Sequence, residues 1–220
     1  MRKFVLLTGL LFSSLLLKAQ ESKWAVSFSP AIVQSPGIHY GFQPGVEYRF
    51  NDRLSLLTEF AFTMQRKDPS FSHNKFFRVK PELRYALQEK KRGLNCYAGL
   101  QASYSFRKWD DISGGCYFNE KMRPDSTTSY DRAAINSSIL SFSIQFGTPF
   151  SFSEHFSMDV FMGLGMRMIF THYSNVENAV KNPYTRPTCI IFPHPDPAWY
   201  VNGTVKRLHS NLGIRFFYRF

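Results

Sequence analysis

Taken in alternate steps, much of this chain separates oily positions from small or charged ones. From Leu54 onward, Leu54, Leu56, Thr58, Phe60, Phe62 and Met64 fall on one face, and Ser55, Leu57, Glu59, Ala61 and Thr63 on the other. The period of two is that of a β-strand, whose side chains point alternately to opposite faces. The same pattern sets Phe156, Met158, Val160, Met162, Leu164, Met166 and Met168 against Ser157, Asp159, Phe161, Gly163, Gly165 and Arg167. Near the end, Leu212, Ile214, Phe216, Tyr218 and Phe220 oppose Asn211, Gly213, Arg215, Phe217 and Arg219.

Read this way, the chain predicts eight strands, near residues 23–30, 40–50, 54–64, 77–88, 94–106, 138–149, 156–170 and 209–220. Tight polar connections at 51–53, 89–93 and 150–155 take turns with long ones at 31–39, 65–76, 107–137 and 171–208. An even strand number with short turns at one end and long loops at the other is the plan of a small transmembrane barrel. The expected fold is therefore all-β, an eight-stranded antiparallel up-and-down transmembrane β-barrel with short periplasmic turns and long extracellular loops.

Alternation alone does not say which face is inside, because a soluble barrel has the opposite polarity. Segment length and content decide. The strands run to about 10 residues or more, enough to cross a bilayer at a tilt. Their polar faces carry charges of both signs, Glu47, Glu59, Glu82 and Asp159 against Arg49, Arg78, Lys80, Arg84, Arg167, Arg215 and Arg219. An eight-stranded barrel has an interior that side chains just fill, so these residues are expected to form a packed lumen network rather than a pore. Aromatics near the strand ends, such as Trp24, Tyr48, Phe50, Tyr104 and Phe170, fit interfacial girdles. Pro44 and Pro81 lie inside predicted strands, where a lost donor leads one to expect bulges or a shifted boundary.

Composition narrows the classes further. With 220 residues, 44% hydrophobic and 20% charged, the chain is too apolar for disorder and sized for one domain. The uncharged apolar run Phe4 to Leu17 follows Met1, Arg2 and Lys3 and leads to Leu17-Lys18-Ala19. That is the form of a secretory signal peptide, too short for a spanning helix. Residues 1–19 are read as the signal and 20–220 as the barrel domain. Removal of the signal takes away three of the 27 basic residues and none of the 16 acidic ones, lowering the formal charge from +11 to +8. Of the three cysteines, Cys116 and Cys189 fall in polar connections and Cys96 in a strand. Export to an oxidising compartment makes Cys116 and Cys189 the candidate disulfide, with three free thiols as the alternative.

The last strand ends on an aromatic residue, with Tyr218 two places before Phe220. This resembles the terminal signal by which the barrel-assembly machinery recognises its clients. Together with the stretches 45–50, 79–85 and 158–167, it makes the chain similar to small outer-membrane barrels of uncharacterised function of the Bacteroidota type, OmpA- or OmpX-like. The resemblance implies an outer-membrane location in a Gram-negative bacterium, outer-membrane lipid as surroundings and the assembly machinery as partner during insertion. Its motifs mark strands and turns, not chemistry.

A shorter stretch, Thr171-His172-Tyr173-Ser174-Asn175, resembles the H-x-S-N motif of the lipid A 3-O-deacylases, themselves eight-stranded barrels. The resemblance implies His172 as base, Ser174 as nucleophile and Asn175 at the oxyanion. The family's acidic orienter on the final strand has no counterpart in the last strand here.

His172, His194, Asp196 and His209 have no metal-ligand spacing, and no phosphate-cradling glycine loop is present. No metal, cofactor or nucleic acid is expected, and the basic run Lys90-Lys91-Arg92 reads as a solvated turn or a head-group contact. The expected role is structural or surface-binding, carried by the outer loops, with a plugged lumen. The alternative is an outer-leaflet lipid A esterase.

Overall fold

The structure, a computed structural model, describes residues 23–35, 37–62, 74–87, 96–119, 127–181 and 201–220, with the backbone alone for 31–35 and 37–41. The strands are β1 (Trp24–Ser35), β2 (Gly37–Arg49), β3 (Leu54–Phe62), β4 (Asn74–Ala86), β5 (Tyr97–Asn119), β6 (Thr127–Ser151), β7 (Phe156–Glu177), the two-residue β8 (Val180–Lys181) and β9 (Val201–Arg219). Each of β1 to β6 pairs antiparallel with the next, β7 pairs with β9, and β9 returns to β1. Eight strands thus close into a ring.

Two tight turns follow from side chains that bond locally. Asn51 Oδ1 accepts from the backbone N–H of Arg53 and Leu54, at 2.9 and 2.8 Å, and turns β2 into β3. Ser153 Oγ accepts from Phe156 N–H at 3.0 Å between β6 and β7. The connection at 89–93, the signal at 1–19, Cys189, His194 and Asp196 lie outside the described residues.

The wall turns its apolar face outward. Leu164, Met162 and Leu212 are 72, 62 and 79% exposed, whereas Glu59, Glu82 and Arg215 inside are fully buried. Around the turn end, Trp24 packs on Tyr48 and Tyr48 on Phe50, while Phe152 meets Phe156 and Tyr218 meets Phe220. Inside, the ring of Tyr97 lies where a Cβ on its cross-strand partner Gly147 would stand, and Phe161 does the same over Gly213. Only glycine admits an aromatic ring flat against the wall at these points.

Two expectations are corrected. Residues 31–39, 107–137 and 171–208 were expected as long loops, but strand runs to Ser35 and from Gly37, and β5, β6, β7 and β9 all extend into those spans. The reason is an inversion of polarity. Above Phe106, Leu140 and Phe170 the strands keep their alternation, but the buried side becomes Trp109, Tyr117, Tyr130, Ile135 and Tyr173 while Asp110, Asp111, Asp131 and His172 face outward. At its upper end β9 also lies parallel to β5, through Phe118–Val201 and Asn119–Asn202. Here β5, β6, β7 and β9 enclose their own aromatic core, with Tyr117 stacked on Tyr173 at 4.4 Å. Oily inside and polar outside is the pattern of strands standing in water.

The prolines, too, behave otherwise than expected. Pairing keeps one register through Pro81, from Val79–Tyr104 to Glu82–Gln101 against β5, and Pro44 stands where the β2–β3 ladder ends. Each missing N–H falls at a gap in a ladder, so no bulge is needed. The irregularities occur instead in the upper strands, between Trp109 and Ile112 and between Arg132 and Ala134.

Candidate functional site

Within the lumen the strand registers bring opposite charges face to face. Glu59 on β3 stands opposite Lys80 on β4, and Asp159 on β7 opposite Arg215 on β9. Cross-strand neighbours of opposite charge attract, and here they do so largely shielded from water. Lys80 Nζ reaches Glu59 Oε2 at 2.9 Å.

Two arginines join these pairs into one network. Arg215 lies 3.1 Å from Glu59, 2.6 Å from Glu82 and 3.4 Å from Asp159. Arg84 donates to Glu82 at 3.0 Å and to Asp159 at 2.8 Å, and lies 3.5 Å from Glu47. A planar guanidinium suits this task because its five N–H donors satisfy several carboxylates at once. Tyr97 O–H donates to Asp159 at 2.8 Å, Gln101 to Glu82 at 2.9 Å and Ser29 to Glu59 at 2.6 Å. The face of Phe161 covers the Arg215 guanidinium at 3.7 Å.

The network lies between two cavities. The lower, of about 410 Å³, has Glu47, Arg49, Arg84, Asp159 and Arg219 in its lining. The upper, of about 340 Å³, has Arg78, Lys80, Arg107, Arg167 and His209. The structure therefore brings together Glu47, Glu59, Lys80, Glu82, Arg84, Asp159 and Arg215, and leaves Arg49 and Arg219 below them and Arg78 and Arg167 above. Sequence reasoning missed Tyr97, Gln101 and Arg107. Their signal was available in the alternation Tyr97, Gly99, Gln101, Ser103, Ser105, Arg107, the inward face of β5.

His172 and Ser174 share the outward face of β7, just above Phe170. Among the described residues neither side chain makes a hydrogen bond or ion pair, and no carboxylate orients the imidazole. Asn175 has a left-handed φ of 51°, at the irregularity where β7 shifts against β6. A left-handed residue within a paired strand is the mark of a bulge, and asparagine tolerates it. Tyr218 sits outward on the closing seam, opposite Val26 of β1 and Phe156 of β7. Cys116 is disulfide-bonded and Cys96 is free, its Sγ 3.5 Å from Thr148 Oγ1. No group of three or more His, Cys, Asp or Glu side chains among the described residues forms a metal site.

The sequence model of a family described as protein of unknown function (DUF3575) matches residues 32–189. No curated protein matches. Among solved structures, neisserial surface protein A is similar at 14% identity and a TM-score of 0.38, over 90% of this chain and 95% of that one. CarO of Acinetobacter baumannii is similar at 11% identity and a TM-score of 0.36, over 89% and 97%.

Proposed function

The chain belongs to the family of proteins of unknown function DUF3575, and from that premise we propose that this member is a Gram-negative outer-membrane barrel. Its lumen is plugged and its role is structural or surface-binding, exercised by the part that rises above the membrane. The observation that carries the reading is the two-sidedness of the wall. Exposed Phe, Met and Leu side chains girdle the lower barrel, while full charges are buried within it, an arrangement that suits lipid outside and is unsuited to water. Above the girdle the outward residues become polar and an aromatic core supports them, which provides a rigid platform for contacts at the cell surface.

The test is electrophoresis of the outer-membrane fraction with and without heating. A closed barrel resists detergent, so the unheated protein is expected to migrate as a separate, faster band. A protein found in the soluble periplasmic fraction, or fully denatured by detergent at room temperature, overturns the reading.

A second reading, an outer-leaflet lipid A esterase with Ser174 as nucleophile, is favoured by one observation. His172 and Ser174 face outward at the upper edge of the apolar girdle, at the level where lipid head groups would meet the wall. Its test is the loss of an acyl chain from lipid A.

A further inference from the structure

The upper cavity is chemically one-sided. Arg78, Lys80, Arg107, Arg167 and His209 are in its lining, and none of the described residues lining it carries a carboxylate. Lys80 is held by Glu59 at its floor, and the guanidiniums of Arg78 and Arg107 lie over one ring, at 5.2 and 5.3 Å from the centre of Phe76. Arg78 Nε donates to Ser105 Oγ at 3.0 Å, which fixes its direction. Among the described residues the buried His209 Nδ1 has no hydrogen-bond partner, and His209 shares the lining with these cations. A space of low dielectric whose described lining carries cations and no carboxylate has a potential that favours an anion.

The wall beside this cavity is incompletely zipped. The ladder between β1 and β9 runs over four pairs, Ala25 to Phe28 against Arg219 to Phe216. Among the described residues no pairing joins the two strands above that point. Pro30, the second residue past the ladder, has no N–H to offer. Ser29 and Pro30 on one strand, with Leu212, Gly213 and Ile214 on the other, belong to the cavity lining. Leu212 and Ile214 also face outward, 79 and 43% exposed, so the cavity meets the apolar surface of the barrel along this seam.

We propose that the upper cavity is a binding site for an oxyanion head group, a phosphate or a carboxylate, with Arg78, Arg107 and Arg167 as its donors. The anion lies between guanidiniums that present paired N–H groups to its oxygens. The β1–β9 seam is the way in from the side, and an apolar tail attached to the head group would rest against Leu212 and Ile214. The proposal goes beyond a plugged surface barrel and does not depend on what the upper strands bind.

The experiment is isothermal titration of the folded full chain in a neutral detergent with sodium phosphate, sodium decanoate and, as an uncharged control, decanol. Blank micelle titrations are subtracted. Saturable binding of phosphate or decanoate, with none of decanol, is expected. Arg78→Gln and Arg167→Gln should each weaken it at least tenfold. Ser103→Glu, which tethers a carboxylate inside the cavity, should abolish binding while the unheated band still migrates as a closed barrel. Decanoate binding tenfold or more tighter than phosphate identifies a lipid-borne anion entering through the seam, and equal affinities identify a free one. Absence of saturable binding of either anion to folded wild-type protein overturns the proposal. So does an affinity unchanged in all three variants.

Discussion

Arg215 Nη2 stands 2.6 Å from Glu82 Oε2, at a place where neither side chain meets solvent. The two residues are 133 positions apart in the chain, on strands that are not neighbours in the ring. The contact spans the lumen, and with Glu59 and Asp159 on the same guanidinium it ties β3, β4, β7 and β9 together. Bringing ions out of water costs several kcal/mol apiece, and that cost is recovered only when partners and geometry are good. The network meets the condition at Glu59 and Glu82, where both oxygens are engaged, while Asp159 takes its partners on Oδ2.

Removing the hub should therefore be severe. Arg215→Gln leaves Glu59, Glu82 and Asp159 without the charge they share, and a loss of about 3–5 kcal/mol is expected. Arg215→Lys keeps the charge but offers one Nζ in place of a fork, so its loss should lie between that of Gln and wild type. Replacing both partners with methionine should cost less than replacing either alone. Urea unfolding of the barrel in lipid vesicles measures the wild type and each of these variants, and additive losses in the double variant would show that the pair is not coupled.

The second expected outcome concerns the wall. Because the Tyr97 ring occupies the space that a side chain on Gly147 would need, Gly147→Val should push the ring away and break its 2.8 Å bond to Asp159. A loss of about 1–3 kcal/mol is expected from the overpacking. Adding Tyr97→Ala should make the valine nearly harmless, since the ring it displaces is gone. The same urea titration reads the coupling.

The ring of eight strands was legible in the sequence because an apolar outer face over a polar lumen makes the period of two nearly pure, with Phe156 to Met168 oily at every other step. The upper parts of β5, β6, β7 and β9 were hidden by the same rule applied past its range. Above the apolar girdle, Trp109, Tyr130 and Tyr173 turn inward and Asp110 and Asp131 outward, so the polar outward positions read as loop. The inward charges could be read from alternation, but their partners could not. That Glu59 faces Lys80, and that Arg215 reaches Glu82, depends on register and on strands meeting across a lumen, and neither is a local property of the chain. His172 and Ser174 were legible as sharing a face, but whether a carboxylate stands beside the imidazole is again a matter of register.

The thiols give a third expectation. Cys116 is bonded and Cys96 is free, and the sequence pairs Cys116 with Cys189. Digestion without reductant should release one linked peptide pair containing Cys116 and Cys189, and iodoacetamide added to the unfolded, unreduced protein should modify Cys96 alone. Alkylation of all three would mean that the bond does not form in the cell. A bond of this kind closes a long loop and typically contributes about 2–4 kcal/mol, so reduction should lower resistance to urea.

The esterase reading makes a fourth. Lipid A from cells expressing the wild type should have lost one acyl chain relative to cells expressing His172→Ala or Ser174→Ala, as read by mass spectrometry. Unchanged lipid A, with wild-type protein present as a closed barrel in the outer membrane, would exclude the activity and leave the upper strands as the functional part.

The last expectation concerns conduction. The charged network stands between the cavity lined by Arg49 and Arg219 and the one lined by Arg78 and Arg167, and on the proposed reading this septum of paired ions closes the lumen to water. In planar bilayers the wild type should give no unitary current steps. Trimming the septum where side chains cross the lumen, by Arg84→Ala together with Glu82→Ala, removes one cation and one anion at once, so the net charge is unchanged and the remaining Arg215 keeps Glu59 and Asp159 as partners. If packing alone seals the lumen, this variant should conduct, because removing the two long side chains joins the cavities. Persistent silence in a variant still closed by the heating assay would locate the seal higher, in the aromatic core of Trp109, Tyr130 and Tyr173, and the decisive variant would then be Tyr173→Ala.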